Sequence, residues 1–251
     1  MPNIAKIKIL FLTFILTPFL LTGCVSLPEQ KNDDPFESFN RGVYTLNNDI
    51  DKALVKPVAE LYDTLLPNFV STGISNFFSN IDDVVVTIND LLQFKMAQAA
   101  SDAGRFLLNS TVGLLGFLDI ASDAGLKKHD EDFGQTLGYW GVPTGPYLVL
   151  PLFGPSNFRD LAGLLVDRNF DPRLYTDAVS SRNLLYGSTN FVDVIDTRAG
   201  LLSAEKVLNT AATDPYLFVR NAFIQRRESL VLDGKVAKGT EVSDDDLFGD
   251  L

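Results

Sequence analysis

A run of 26 residues without a charged side chain, from Phe133 to Phe158, sets the strongest limit on what this chain can fold into. The run is long enough to cross the hydrocarbon core of a bilayer as a helix. It contains five glycines and four prolines, however, and an interior proline removes a hydrogen bond and breaks a helix. The run is therefore either a buried core loop or a loop that faces lipid on one side and a pore on the other, because non-helical backbone at membrane depth needs such a setting.

The N-terminus has the pattern of a secretory signal peptide. Two lysines precede a short apolar stretch that ends in the sequence LTGC at Leu21–Cys24. We expect residues 1–23 to be removed and Cys24 to carry the lipid of a bacterial lipoprotein. The alternative is an ordinary signal peptide that happens to end at a cysteine. Residues 24–33 then form a short polar tether, and Val25 in place of an aspartate favours the outer membrane.

Composition excludes several classes of protein. The chain has 21 Lys and Arg against 32 Asp and Glu, and loss of the two signal lysines leaves a net charge of −13 from 19 basic and 32 acidic residues. A chain this acidic, with no basic run, is a poor binder of nucleic acid. A single cysteine and a single histidine exclude an internal disulfide, a cysteine-based zinc site and a multi-histidine metal centre. We expect no cofactor and no metal.

Apolar residues at three- and four-residue spacing predict helices in the first half of the body. The predicted helices lie at 36–54, 57–66, 69–78 and 81–92. An interruption is expected at 47–51, where four poor helix formers occur. The run Val84–Thr87 alone would suggest a strand, but its place in a longer helical pattern favours helix.

The helical pattern returns after Asp160. We expect a short helix around Leu161–Leu165, one or two helices between Leu184 and Leu208 with weak points at Gly187 and Gly200, and a strong helix over 216–232. Aspartate caps helices and proline suits their first position, so three Asp-Pro pairs predict helix starts. These pairs are Asp34-Pro35, Asp171-Pro172 and Asp214-Pro215.

The sequence thus predicts one mostly α domain over 34–234. Residues 235–251 carry two lysines and five acidic groups, three of them consecutive. This composition predicts a disordered acidic tail.

The search for chemistry finds one charged cluster, His129–Asp132. Its members are adjacent in the chain, so they cannot all direct their side chains at one metal ion. The cluster is either an acid–base dyad of His129 with a nearby carboxylate or a polar turn that caps the glycine-rich run. The pairs Ser110-Thr111 and Ser188-Thr189 have no implied base. Neither the Gly-x-Ser-x-Gly elbow nor a Walker A loop occurs, and we expect no catalytic residue.

Taken together, these segments resemble the MlaA/VacJ family of outer-membrane lipoproteins of Gram-negative bacteria. The resemblance covers about residues 34–232 and rests on five segments in the family's order. They are Asp34–Arg41 (DPFESFNR), Gly73–Phe78 (GISNFF), Gly104–Thr111 (GRFLLNST), His129–Tyr147 with its HDEDFGQTLG and WGVPTGPY parts, and Asp214–Tyr216 followed by Arg220, Phe223, Arg226 and Arg227.

The resemblance implies an all-α fold, with a single ring-like multi-helix domain that carries a Gly/Pro-rich apolar loop and is embedded in one leaflet. The implied function is a passive phospholipid channel that removes mislocalised phospholipids from the outer leaflet of the outer membrane. The implied partners are phospholipids, a trimeric outer-membrane porin and a periplasmic lipid carrier, which links to an inner-membrane ABC transporter. The implied location is the periplasmic side of the outer membrane, held there by the lipid anchor.

By the same resemblance, the loop at 138–145 matches a mobile hairpin beside the family's channel. Some members have a third glycine where this chain has Pro143, which would stiffen the loop. The residues expected in the channel and hairpin loop are Gly138, Gly141, Pro143, Gly145, Tyr147, Leu148, Val149 and Leu150. Two other functions stay open: a structural lipoprotein that docks on a porin, and a lipid hydrolase that uses His129.

Overall fold

A computed structural model describes residues 34–175 and 182–234. The signal peptide 1–23, the predicted lipidation site Cys24, the tether 24–33 and the tail 235–251 lie outside the described residues, so these remain predictions. Contacts divide the chain after Pro35. The helical unit that begins at Phe36 is described below.

Helices form nearly all of this unit, which confirms the prediction of an all-α domain. One π-helical turn (Asp51–Val55) joins α1 to α2, and a 3-10 turn (Pro172–Tyr175) follows α7. The helices are α1 (Glu37–Ile50), α2 (Lys56–Leu65), α3 (Asn68–Leu92), α4 (Met96–Thr111), α5 (Ile120–Asp123), α6 (Phe133–Tyr139), α7 (Phe158–Phe170), α8 (Arg182–Gly200), α9 (Leu202–Ala211) and α10 (Pro215–Val231).

The predicted helices at 69–78 and 81–92 are one helix, so the prediction of a break between them is wrong. No proline lies within α3, and its 25 residues run without interruption through Asn80, which donates a hydrogen bond from Nδ2 to Ser110 Oγ at 2.9 Å. Val84–Thr87 is helical, as the longer pattern predicted. Helix α8 ends at Gly200 and α9 begins at Leu202, so the predicted weak point at Gly200 is a helix boundary. Gly187 lies inside α8 and does not interrupt it.

The three Asp-Pro pairs differ in their outcome. Asp214 caps α10 as predicted, and its side chain accepts a hydrogen bond from Leu217 N–H. Asp171 precedes a 3-10 turn and not an α-helix. The first helix begins at Glu37, with Phe36 in the N-cap position and no side-chain cap, so the capping predicted at Asp34 is wrong.

The uncharged run folds into α6 and a two-stranded antiparallel hairpin, which the sequence patterns did not predict. Strand β1 (Tyr147–Leu150) pairs with β2 (Gly154–Asn157), and Tyr147 lies opposite Asn157. Side chains alternate across a strand, and here Tyr147 and Val149 point into an apolar core with Val43 and Tyr216. Leu152 and Phe153, at the turn of the hairpin, are exposed.

Two asparagines of α1 hold the outer edge of β1. Asn40 donates to Tyr147 O at 3.1 Å and accepts from Val149 N–H at 2.8 Å. Two helical turns later, Asn47 donates to Leu150 O at 2.9 Å and accepts from Leu152 N–H at 2.8 Å. A side-chain amide carries one acceptor and two donors, so each asparagine replaces the backbone of a missing third strand.

Most of the buried residues of the unit are polar or charged. Among the described residues, ten buried side chains are apolar and seventeen are polar or charged. Large apolar side chains are exposed on nearly every helix, for example Leu65 on α2, Phe69 on α3 and Leu107 on α4. Soluble proteins show the opposite bias, because charged side chains are almost never fully buried unless paired. Exposed apolar surface of this extent is typical of a protein that contacts lipid or another protein.

None of the helices in the described part of the chain combines the length and the apolar character needed to cross a bilayer. The apolar surface is spread over the faces of many helices instead.

Replacement of Asn40 by Ala is expected to lower the free energy of unfolding by about 2–4 kcal/mol, because it leaves a buried N–H and a buried C=O of β1 without partners. Chemical denaturation of the detergent-solubilised protein measures the effect. Asn48→Ala on the same helix is the matched control, since no hydrogen bond of the Asn48 side chain is seen among the described residues. An equal loss in both variants would contradict the role of Asn40.

Candidate functional site

A cavity of about 1060 Å³ opens between α3, α7, α8 and α10, and it is the candidate site. Its volume exceeds the range of about 300–1,000 Å³ typical of small-molecule pockets. One face of α3 forms its longest wall, with residues spaced three or four apart over three turns. These are Ser75, Phe78, Ser79, Asp82, Val85 and Val86.

The lining of the cavity is amphipathic. Besides the apolar side chains of α3, its apolar part comes from α7, α8, α10 and the hairpin turn, and consists mainly of Leu164, Leu165, Val194, Phe223, Leu230 and Phe153. Its charged part contains both signs, with a surplus of acidic groups. A molecule with long apolar chains and a polar head would find partners for both parts on these walls.

Arg173 organises the acidic side of the cavity. It binds Asp171 at 2.9 Å and Asp193 at 2.7 Å, and its Nη2 lies 3.6 Å from Asp82. The Asp82 side chain is about half exposed, but desolvation by the surrounding walls raises its pKa to about 6, and the nearby Asp193 and Asp171 add to this shift against the attraction of Arg173. Burial likewise raises the pKa of Asp167 to about 6, against the hydrogen bonds that it accepts from Phe133 N–H and Asn89.

The four residues of the predicted charged cluster diverge to four different places. His129 Nδ1 lies 2.8 Å from Asp102, and Asp130 lies 3.7 Å from Arg226. Glu131 binds Lys95 at 2.7 Å and Gln93 at 2.8 Å. Asp132 caps α6 by accepting from Gln135 N–H at 2.8 Å and binds both terminal nitrogens of Arg227. This is the polar turn before the glycine-rich run that the sequence offered as one of two interpretations.

The other interpretation, an acid–base dyad, has a partial counterpart in the contact between His129 and Asp102. Within the described part of the chain, the only hydrogen bond of the His129 ring is with Asp102, so no hydroxyl nucleophile is bound to it. Ser110, one of the hydroxyl residues considered from the sequence, accepts a hydrogen bond from Asn80. Among residues 34–175 and 182–234, no group of three or more His, Cys, Asp or Glu is arranged to hold a metal ion.

Asp102 also lies beside Asp90, and both side chains are fully buried. Burial, together with the hydrogen bond and the charge of Asp102, raises the pKa of Asp90 to about 8. Glu131 adds to this shift and Lys95 opposes it. The pair thus holds a proton at neutral pH, because two adjacent carboxylates cannot both ionise in a buried site.

None of the residues predicted for the channel and hairpin loop lines the large cavity. Gly141 and Gly145 have φ values of +88° and +70°, which suit glycine. Gly138 lies in the last turn of α6 and packs against Arg159, and Pro143 is exposed between the two left-handed glycines. Tyr147 and Val149 are core residues, whereas Leu148 and Leu150, on the opposite face of β1, are half-buried.

The comparisons with known proteins agree with the resemblance. The family described as MlaA lipoprotein matches residues 32–230. The intermembrane phospholipid transport system lipoprotein MlaA of Escherichia coli K12 is 35% identical over 227 residues, covering 86% of each chain. The protein of the same description from Haemophilus influenzae is 32% identical over 248 residues, covering 96% of this chain and 97% of its own.

The chain belongs to the MlaA lipoprotein family. A solved structure from work on the "structural basis for maintenance of bacterial outer membrane lipid asymmetry" is similar over 80% of this chain and 100% of its own length. The two have 31% sequence identity and a TM-score of 0.70. The predicted family is therefore confirmed.

Knowledge of the MlaA family motifs did not reveal the cavity walls. The motif GISNFF contributes Ser75 and Phe78 to the wall, and the closing motif contributes Phe223, Arg226 and Arg227. The HDEDFGQTLG part of the fourth motif contributes Asp130, Glu131, Asp132 and Gln135. The remaining wall residues of α7 and α8 lie outside the motifs. A signal was present in α3, where polar and apolar residues share one helical face, but the predicted break at 78–81 obscured it.

The buried carboxyl pair gives this MlaA family member a testable pH dependence. A folded-state pKa of about 8 for Asp90 means that the folded protein binds more protons than the unfolded chain between about pH 4 and 8, so this group's contribution to stability is lost as the pH rises. Asp90→Asn is expected to remove that loss and to change the slope by up to about 1.4 kcal/mol per pH unit.

Unfolding by urea at a series of pH values from 5 to 9 measures the slope. Asp123→Asn, which removes an exposed carboxylate, is the control and should leave the slope unchanged. Identical slopes for the wild type and Asp90→Asn would show that the pair does not hold the proton.

Proposed function

We propose that this chain conducts phospholipids through the cavity of about 1060 Å³, at the periplasmic side of the outer membrane, as part of an intermembrane phospholipid transport system. The amphipathic lining of the cavity, in a member of the MlaA family, is the observation that carries the proposal. The names of the relatives and the subject of the similar solved structure support it.

Passive conduction lowers the free-energy barrier that a phospholipid meets when it leaves a bilayer. A phospholipid has about 30 methylene groups, and exposure of each to water costs about 0.8 kcal/mol, so escape through water costs on the order of 20 kcal/mol. A conduit lowers this barrier if apolar walls shield the chains while polar walls solvate the headgroup. The Leu164, Leu165 and Val194 walls serve the first role, and the charged wall around Arg173 serves the second.

The polar interior and the exposed apolar side chains of the helices support insertion into one leaflet. Exposed apolar side chains on many helices suit lipid, and the polar network inside suits a polar path. The lipid on Cys24 would hold the protein at the outer membrane. Interfacial helices usually carry Lys and Arg on their polar face, whereas this chain is acidic, so insertion depends on the lipid, the apolar faces and protein contacts.

The same proposal includes the partners that the family resemblance implied: a trimeric outer-membrane porin, and a periplasmic carrier that passes lipids to an inner-membrane ABC transporter. A passive conduit has no direction of its own. Removal of misplaced lipid from the outer leaflet therefore depends on the energised partner.

No catalytic step is needed for this function. The hydrolase interpretation requires a nucleophile next to His129, and within the described residues its ring is bound only to Asp102. The porin-docking interpretation leaves the large amphipathic cavity without a role.

Filling the cavity tests the path. Val194→Trp is expected to leave the protein folded and in the outer membrane, since Val194 is half exposed on the cavity wall, but to abolish lipid retrieval. The measurement is surface-exposed phosphatidylethanolamine in a deletion strain complemented with each variant, labelled with a membrane-impermeant amine reagent.

Leu201→Trp is the matched control, because Leu201 is equally exposed but does not line the cavity. It should restore the low surface signal of the wild type. Full complementation by Val194→Trp would mean that lipids do not pass through this cavity.

The anchor is tested in the same strain. Cys24→Ala removes the site of lipid attachment and is expected to leave surface phosphatidylethanolamine as high as in the deletion strain, because the unanchored protein leaves the membrane. The wild-type protein should return the signal to its normal level. Complementation by Cys24→Ala would contradict the need for a lipid anchor, and no signal in the deletion strain would contradict the transport function itself.

A further inference from the structure

A second, smaller pocket of about 370 Å³ lies between the loop before β1, the start of α7 and the C-terminal half of α10. Phe223 and Arg227 line both this pocket and the large cavity, so the two spaces share a wall. Its volume is near the lower end of ligand pockets. It suits a headgroup and not a whole two-chain lipid.

Arg159 is the decisive side chain of the small pocket. Only 5% of the side chain is exposed, and among the described residues its side chain bonds only to Asp160, from Nε at 3.0 Å. A guanidinium has five N–H donors, so the donors of its two terminal nitrogens have no protein acceptor there. An anionic acceptor bound in the pocket that Arg159 lines would pair with these donors through charge-assisted hydrogen bonds.

The charges around Arg159 favour a singly charged acceptor. Asp160 lies 2.7 Å from Arg227 Nε as well as 3.0 Å from Arg159, and Asp132 binds the terminal nitrogens of Arg227. Two guanidinium groups and two carboxylates therefore balance. A free phosphate carries close to two negative charges at neutral pH, whereas a phosphodiester carries one. The balance favours the phosphodiester.

Glu228 supplies the complementary charge at the edge of the same pocket. It is exposed, it lines the pocket, and no ion pair of its carboxylate is seen among the described residues. Apolar walls complete the site, namely Phe223, Ile224, Val231 and Leu232. The pocket thus combines guanidinium donors, a carboxylate and an apolar surface within a small volume.

We propose that this small pocket binds the headgroup of a zwitterionic glycerophospholipid, with the phosphodiester on Arg159 and the ammonium group on Glu228. The inference rests on the proposed function, since it assigns a headgroup to the lipid that occupies the large cavity. Phe223 and Arg227, on the shared wall, are the point where the apolar chains would continue into that cavity. The pocket makes the protein selective for an amino phospholipid over an anionic or uncharged lipid.

The test measures the affinity of the full-length protein in non-ionic detergent for three short-chain lipids with identical acyl chains: phosphatidylethanolamine, phosphatidylglycerol and diacylglycerol. The wild type is expected to bind phosphatidylethanolamine about tenfold more tightly than diacylglycerol and about threefold more tightly than phosphatidylglycerol. Arg159→Gln should remove the first difference and Glu228→Gln the second. Lys206→Gln, at an exposed cation outside both pockets, should change neither.

Thr144→Trp blocks the pocket from an exposed position without altering Arg159, so it tests the site even if Arg159→Gln fails to fold. It should also remove the preference for phosphatidylethanolamine. Inorganic phosphate is included as a competitor, and displacement of the lipid by low millimolar phosphate would overturn the choice of a phosphodiester. Equal affinities for the three lipids, or a preference retained in both Arg159→Gln and Thr144→Trp, would overturn this inference alone. No lipid binding by the wild type would contradict the proposed function.

Discussion

The polar contact between α3 and α4 is the interaction on which the rest of the structure depends. Arg105, which is 2% exposed, donates to both oxygens of Asp119 at 3.1 Å and to Leu126 O at 2.5 Å, and its Nε lies 3.7 Å from Asp83. Asp83 also binds Lys128. A buried charge is tolerated only when it is paired and hydrogen-bonded. These pairs therefore fix α3 against α4 and the segment that follows, and the neighbouring face of α3, with Ser79 and Val86 on either side of Asp83, becomes the long wall of the cavity.

The same principle explains why the fold has few apolar contacts inside. When the surroundings are lipid, apolar side chains gain nothing by leaving the surface, and helices associate through small residues and interhelical hydrogen bonds. Both kinds of contact between helices occur in this chain. Asn89 and Thr136 bond at 2.8 Å between α3 and α6, and Gly163 packs so closely on Gly134 that a Cβ would lie 2.3 Å from the Gly134 nitrogen. The polar interior and the exposed apolar faces are both expected for the lipid surrounding that the proposed function requires.

The sequence predicted the helical class, most helix positions and the family, because apolar spacing and ordered motifs are local signals. It did not predict the β-hairpin. Strands β1 and β2 lack a common turn dipeptide, and the edge of β1 is completed by Asn40 and Asn47, more than a hundred residues away. From the sequence, Asn47 is one of the poor helix formers at 47–51, whereas in the structure its amide bonds to the hairpin backbone. Such a role depends on a partner that no local pattern contains.

By itself, the sequence determined that the uncharged run could not be a spanning helix, since its prolines and glycines forbid one, and that His129–Asp132 could not be a single metal site. Only the tertiary structure decided where those side chains go. In the folded chain, Tyr147 and Val149 lie in the core. The side chains of His129–Asp132 contact different partners. Faces of α3, α7, α8 and α10 together form the cavity. The physical reason is that covalent geometry limits a chain locally, whereas a cavity and a buried ion pair exist only where distant segments meet.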